Sequence, residues 1–280
     1  MIIDFHTHIF PETICKYRER FFDREPSFKL LYDSSKAKLV GADTLVSTMD
    51  EYLVDHSVVF GFPWKTSDTA KLNNDYILEA VARYPDRLKG FACFDMSWQG
   101  APEEAQRCID AGLSGVGELA FYLSGIDEQA LVHLEPIMDI CKQAGNLPVM
   151  IHTNEPVGHQ YPGKTPVTLE QIYALAQRFP DNRIVLAHWG GGIFFFSLLK
   201  REAKDVLKNI WFDTAASPFL YDPDIYRVAV DTGIVEKVLF GTDYPLIKPS
   251  RYYKDIEASG ISESAAEKIL GRNASALLRF

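Results

Sequence analysis

Eight short apolar runs, spaced along all 280 residues and separated by helix-like stretches, constrain the fold more than any other feature of this chain. They are Ile2–His6, Ser57–Phe62, Leu88–Phe94, Ser114–Glu118, Val149–His152, Ile184–His188, Ile210–Asp213 and Val238–Thr242. Several are apolar without alternation, as parallel strands covered on both faces require. The stretches between them repeat apolar residues at helical spacing. Leu45, Met49, Tyr52 and Leu53 follow an expected Asp43 N-cap. Ile172, Leu175, Ala176 and Phe179 follow Thr168-Leu169-Glu170-Gln171, which reads as a capping box. Further helices are predicted over Tyr76–Arg83, Glu103–Ala111, Glu128–Ala144, Ile193–Leu207, Pro223–Thr232 and Ser262–Leu278.

Strand and helix in regular alternation predict an α/β architecture with right-handed crossovers. Eight such units predict one TIM (β/α)8 barrel domain over residues 1–280. An open doubly wound sheet is the runner-up, but it would place a glycine-rich phosphate loop after the first strand, where His6-Thr7-His8 stands. Arg83-Tyr84-Pro85-Asp86-Arg87 and Arg178-Phe179-Pro180-Asp181-Asn182-Arg183 echo each other as shared turn chemistry at helix ends. Residues 9–42 are too many for an ordinary strand-to-helix loop. They carry Phe10, Tyr17, Phe21, Phe22, Phe28 and Tyr32, which predicts a lid folded over the barrel mouth.

Composition narrows the partners. Hydrophobic residues make up 47% of the chain, ample for a large core, and the net charge is −9. With no basic stripe, nucleic acid is not an expected partner. The apolar stretch from Gly190 to Leu199 ends at Lys200 and is too short to span a membrane. Asp4, His6 and His8 interrupt any signal-peptide core. Cys15, Cys93, Cys108 and Cys141 include no C-x-x-C pair and read as reduced thiols, so a cytoplasmic protein is expected.

The chemistry sits at the strand ends. Side chains alternate along a strand, so His6 and His8 point to one side, and neutral imidazoles suit zinc and its neighbours. Glu118, His152, His188 and Asp243 end or follow later runs. In a barrel the carboxyl ends of the strands face one mouth. Several histidines with carboxylates around an open position make the ligand set of a catalytic metal site. Trp64, Tyr122, Asn154, His159 and Trp189 fall on loops at that mouth and are candidate contacts to a small-molecule substrate. Lys248 and Arg251 read as surface charge, and His56 and His133 as structural. Asp95 and Asp213, which end strands three and seven, are left open as supporting residues.

The ordered set identifies a resemblance that spans essentially the whole chain. His6-x-His8, Glu118 in Gly-Val-Gly-Glu-Leu, His152, His188 in Ala-His-Trp-Gly-Gly-Gly and Asp243 in Phe-Gly-Thr-Asp-Tyr-Pro together resemble the amidohydrolase superfamily. More narrowly, the chain is similar to the group that includes aminocarboxymuconate semialdehyde decarboxylase, as is its Ile269-Leu270-Gly271-Arg272-Asn273-Ala274 ending. The resemblance implies a metal-dependent barrel enzyme that cleaves C–N, C–O or C–C bonds. It implies His6, His8, His152 and Asp243 as ligands of the principal metal, with Asp243 as general base and then acid. His188 would ligate a second metal or hold the reactive water. Many members carry a carboxylated lysine on strand four; here Glu118 resembles the TatD-like variant, in which a glutamate bridges two metals, or else supports a ligand from behind.

On that ground the expected function is hydrolysis of an amide, lactone or ester of a small molecule. The nucleophile would be metal-bound water, whose pKa a zinc-type ion lowers to roughly 7. Zinc is the first expectation, as one or two ions, although manganese, cobalt or iron accept the same ligands. The alternative is a decarboxylase, a lyase on the same scaffold. A non-catalytic metal-binding protein is a third reading, and a base at an open position, Asp243, argues against it. The resemblance also admits a homodimer.

Overall fold

The structure, a computed structural model, describes residues 1–278. Its eight strands are β1 (Ile3–His8), β2 (His56–Phe60), β3 (Leu88–Gly90), β4 (Val116–Leu119), β5 (Val149–Ile151), β6 (Ile184–Leu186), β7 (Ile210–Asp213) and β8 (Val238–Leu239). All pair in parallel, in one ladder β1-β2-β3 and a second β4-β5-β6-β7-β8. Single bridges close the ring. Ala92 pairs with Val116 between β3 and β4, and Thr7 pairs with Tyr244 between β8 and β1. The second seam is reinforced where Phe5 N donates to Phe240 O at 2.7 Å and Asp243 N donates to His6 O at 2.9 Å. The fold is a TIM barrel.

Two apolar cores hold it. Ile3, Phe5, Val58, Phe60, Phe91, Met150, Val185 and Leu239 fill the barrel, with Ala274 and Leu277 of the last helix packed against them. A larger cluster joins the outer strand faces to the helices, for example Ile184 and Leu186 to Ile172 and Leu175. Burying a Leu or Phe side chain contributes about 1.5–3 kcal/mol, so these contacts dominate the favourable side of folding.

Two bulges aim the strand ends. Between Asp4 and Thr7, β1 carries one residue more than β2 opposite it. This switches parity: Ile3 and Phe5 join the interior core, yet His6 and His8 also reach the interior, each packing edge-on against Phe60. A matching irregularity lies between Val116 and Leu119 of β4 and presents Glu118. There Gly117 has φ of +137°, and a Cβ on it would sit 2.6 Å from the Met150 carbonyl oxygen, so only glycine fits.

Some local expectations are corrected. The helix Ala42–Glu51 is capped by Gly41, not Asp43. Asp43 instead lies in the first turn, where its carboxylate meets the Tyr84 hydroxyl and the Arg83 guanidinium. No continuous helix runs from 193 to 207. Gly190, Gly191 and Gly192 all have positive φ and coil His188–Leu198 into tight turns, leaving only a short helix at Ala203–Val206. The Thr168–Gln171 capping box is present. Ser262–Leu278 is helical in three pieces, with a wider turn over Lys268–Arg272. Residues 9–42 hold short helices at Glu12–Lys16 and Pro26–Tyr32 joined by a tight turn.

Buried Asp4 locks β1 to the segment after β8, accepting from Thr242 N at 2.9 Å and Thr242 Oγ1 at 2.6 Å. Thr242→Val removes one of these donors from a buried carboxylate and should lower unfolding free energy by about 1–3 kcal/mol in urea titrations. An unchanged midpoint would show that Asp4 does not tie this seam.

Candidate metal centre and active site

The six strand-end residues converge. His6 Nε2 lies 3.2 Å from His8 Nε2, 3.6 Å from Glu118 Oε2 and 3.7 Å from Asp243 Oδ1. His8 Nε2 is 3.3 Å from Asp243 Oδ1. On the other side, Glu118 Oε1 is 2.9 Å from His152 Nδ1 and 3.6 Å from His188 Nε2. Three groups have donor atoms within 4.8 Å of one another: His6, His8 and Glu118; His6, His188 and Asp243; and Glu118, His152 and His188. Glu118 thus stands between two pairs of imidazoles, one carboxylate oxygen toward each.

The backbone is bent to allow this. His188 and Asp243 have φ of 54° and 59°, in the left-handed region that non-glycine residues seldom occupy and that clusters at functional sites. Gly191 lets the chain after His188 pass close to the loop after β5, because a Cβ there would clash with the Asn154 carbonyl oxygen.

Hydrogen bonds on the far side of each ring decide which nitrogen faces inward. His8 Nδ1 donates to Gly61 O at 2.8 Å, and His188 Nδ1 to Ala215 O at 2.9 Å. His6 Nδ1 meets Asp213 Oδ2 at 2.8 Å. With Nδ1–H engaged, Nε2 of each is the atom left for a ligand bond, as metal-bound histidines require. His152 is reversed: its Nε2–H donates to Gly163 O at 2.9 Å, so the Nδ1 lone pair faces Glu118. Two acceptors 2.9 Å apart need a proton or a cation between them. The donor set therefore fits a divalent cation.

Electrostatics agree. Burial opposes charge on His6, but Asp213 and Glu118 outweigh it and raise the imidazole to about 10. His188, buried likewise, is raised to about 9 by its hydrogen bond to Glu118 and the charge of Asp243. Burial pushes the carboxyl of Glu118 upward, yet His152 and His6 hold it well below the usual range. Asp243 is also low, against burial, because of its hydrogen bond with His8 and the charges of His6 and His188. The negative surroundings that retain these protons would equally attract a divalent cation, which competes with them.

Above the cluster opens a cavity of about 720 Å³, within the size range of small-molecule sites. His8, Glu118, His152, His188 and Asp243 form its floor; Tyr32, Phe62, Tyr122, Tyr161 and Phe219 supply aromatic walls.

Of the loop residues expected to read substrate, Tyr122 and His159 line the cavity. Trp64, Asn154 and Trp189 are corrected to positions behind it. Trp64 is fully buried, bonds Asn73 Oδ1 and packs on Phe28, because its ring completes the apolar cluster under residues 9–42. Trp189 is buried against Tyr226 with its indole N–H on Ser217 Oγ. Asn154 Oδ1 accepts from Thr165 N and Oγ1, pinning the loop after β5. Asp213 is the supporting residue that the sequence left undecided. Besides His6, its carboxylate accepts from His188 N and Ala215 N, both at 2.9 Å. Its signal was its place at the end of β7, equivalent to the other strand-end ligands. The four cysteines are free, and no helix among the described residues is long and apolar enough to cross a membrane.

The sequence model of the Amidohydrolase family matches residues 3–280. The chain belongs to this family. Gamma-resorcylate decarboxylase from Rhodococcus jostii (strain RHA1) is 24% identical, covering 89% of this chain and 91% of its own. The crystal structure of 5-carboxyvanillate decarboxylase from Sphingomonas paucimobilis superposes with a TM-score of 0.73 at 18% identity, over 100% of this chain and 99% of the other. Dihydroxybenzoic acid decarboxylase from Polaromonas sp. JS666, solved with bound manganese and the inhibitor 2-nitroresorcinol, gives 0.68 at 18% identity, over 99% and 96%.

Two outcomes are expected. Asp213→Asn presents an amide N–H to His6 and forces its proton onto Nε2, so calorimetric Mn²⁺ or Zn²⁺ affinity should fall about 10–100-fold; unchanged affinity would refute the orienting role. In chelator-treated protein, the raised values of His6 and His188 mean that their protonated forms stabilise the fold. That contribution is complete below the ordinary value of 6.5 and is lost as pH climbs through 9 and then 10. The urea midpoint should therefore drop between about pH 7 and about pH 10.

Proposed function

We propose that this protein is a metal-dependent decarboxylase of a small aromatic carboxylic acid. The observation that carries the reading is the cavity itself: a floor of imidazoles and carboxylates under walls of aromatic rings, with Phe62 and Tyr122 nearly parallel at 18°. Such walls suit a planar ring. The names of the relatives support the same class of reaction over the hydrolysis that Glu118 suggested from sequence.

His6, His8, Glu118, His152 and Asp243 would hold the cation, and manganese is the first ion to test because a solved relative carries it. When bound, the cation would supply positive charge that attracts the substrate carboxylate. His188 is the proton donor. Its Nδ1–H is committed to Ala215 O, so in the protonated ring the proton free to leave is the one on Nε2, facing the cavity floor. Asp243, held ionised by its histidine neighbours, serves as a ligand instead. The proton from His188 adds to the ring carbon that bears the carboxylate. The C–C bond then breaks, its electron pair restores the aromatic ring, and CO₂ leaves. His188 regains a proton from solvent.

One observation favours a second reading. The two oxygens of Glu118 face separate imidazole pairs, the layout that would bridge two ions in a hydrolase. The readings separate in one assay set. Mn²⁺-loaded protein should release CO₂ from hydroxybenzoates, and His188→Gln should lower kcat by about 10²–10⁴-fold. Hydrolysis of amides, lactones or esters with no CO₂ from any hydroxybenzoate, at about two ions per chain, would reverse the assignment.

A further inference from the structure

Two phenolic hydroxyls at the cavity are left without a partner. Tyr32 comes from the helix Pro26–Tyr32 inside residues 9–42, and Tyr122 follows β4; both line the cavity that has Glu118 and Asp243 on its floor. Among the described residues neither hydroxyl has a hydrogen-bond partner, whereas that of Tyr161, the third tyrosine at the cavity, donates to Glu155 Oε2. A half-buried hydroxyl without a partner costs free energy unless a ligand or water satisfies it.

The two rings are fixed rather than loose. Tyr32 lies 4.7 Å from Phe28 and edge-on to Phe62 at 5.9 Å, and Arg18 holds its backbone carbonyl at 3.3 Å. Tyr122 stacks on the same Phe62 at 6.1 Å and lies 6.0 Å from His152. Phe62 thus contacts both rings, and both line the same cavity. A neutral phenol donates one hydrogen bond, and the carboxylates beneath repel any second anion. The partner that fits is an uncharged oxygen acceptor on an aromatic ring.

We propose that Tyr32 and Tyr122 form a paired donor site that reads a hydroxyl or alkoxy substituent on the substrate ring, apart from the carboxylate held at the cation. This rests on the decarboxylase reading for the ring and its carboxylate. It assigns residues 9–42 a part in specificity.

The test is calorimetric binding of benzoate and of 2-, 3- and 4-hydroxybenzoate to the Mn²⁺-loaded protein, with CO₂ release followed alongside. The wild type should prefer one hydroxybenzoate over benzoate by about tenfold. Tyr32→Phe and Tyr122→Phe keep both rings and should each cut that preference about threefold, and the double variant should abolish it with benzoate affinity unchanged. A preference that survives in the double variant overturns the proposal, as does its absence in the wild type, weak or undetectable binding of all four included. A preference lost as expected but without CO₂ release from any of them overturns the decarboxylase reading and leaves the donor pair standing.

Discussion

Glu118 is buried within 4 Å of four histidine side chains, and the rest of the site is arranged around that fact. A carboxylate taken out of water is costly unless opposite charge and hydrogen bonds replace the lost solvent. Here His6 and His8 approach one oxygen, His152 and His188 the other, and Asp243 balances the histidines from the β8 side. None of these groups is tolerable alone at this depth. Together they make a compact site whose charge depends on protons or on a cation.

A second layer makes the first directional. Gly61 O, Ala215 O and the Asp213 carboxylate hold His8, His188 and His6 by Nδ1, while Gly163 O holds His152 by Nε2. The ring nitrogens that face one another are therefore chosen by atoms on other loops. Asp213 also accepts from two backbone amides, so the position of His188 and the orientation of His6 respond to the same carboxylate. The aromatic wall adds shape to this charge: Phe62 touches both Tyr32 and Tyr122, which links residues 9–42 to the loop after β4.

Much of this was legible in the chain. Apolar runs without alternation meant parallel strands, and strand-end histidines meant a single mouth once eight units had been counted. What failed was chemistry that depends on neighbours. Asp43 looked like a cap, but Tyr84 and Arg83 draw its carboxylate aside. The Ile193–Leu207 periodicity was apolar enough for a helix, but three consecutive left-handed glycines coil the segment first. Trp64 and Trp189 sat on the right loops, yet a large indole gains more from full burial than from the rim of a wet cavity.

The barrel and the convergence of the six strand-end side chains follow from the chain alone, because strand periodicity and strand-end position are local properties that topology carries to one rim. How those residues are aimed depends on contacts between elements that the chain brings together only on folding. The bulge between Asp4 and Thr7 lets His6 and His8 share the interior with Phe5, and it exists only where β1 meets β2. Tautomer choice at the four histidines, the contacts of Asp213 and those of Phe62 with Tyr32 and Tyr122 likewise join residues far apart in the chain. No local pattern encodes them, because each is settled by hydrogen bonds and ring contacts that form only when the barrel closes.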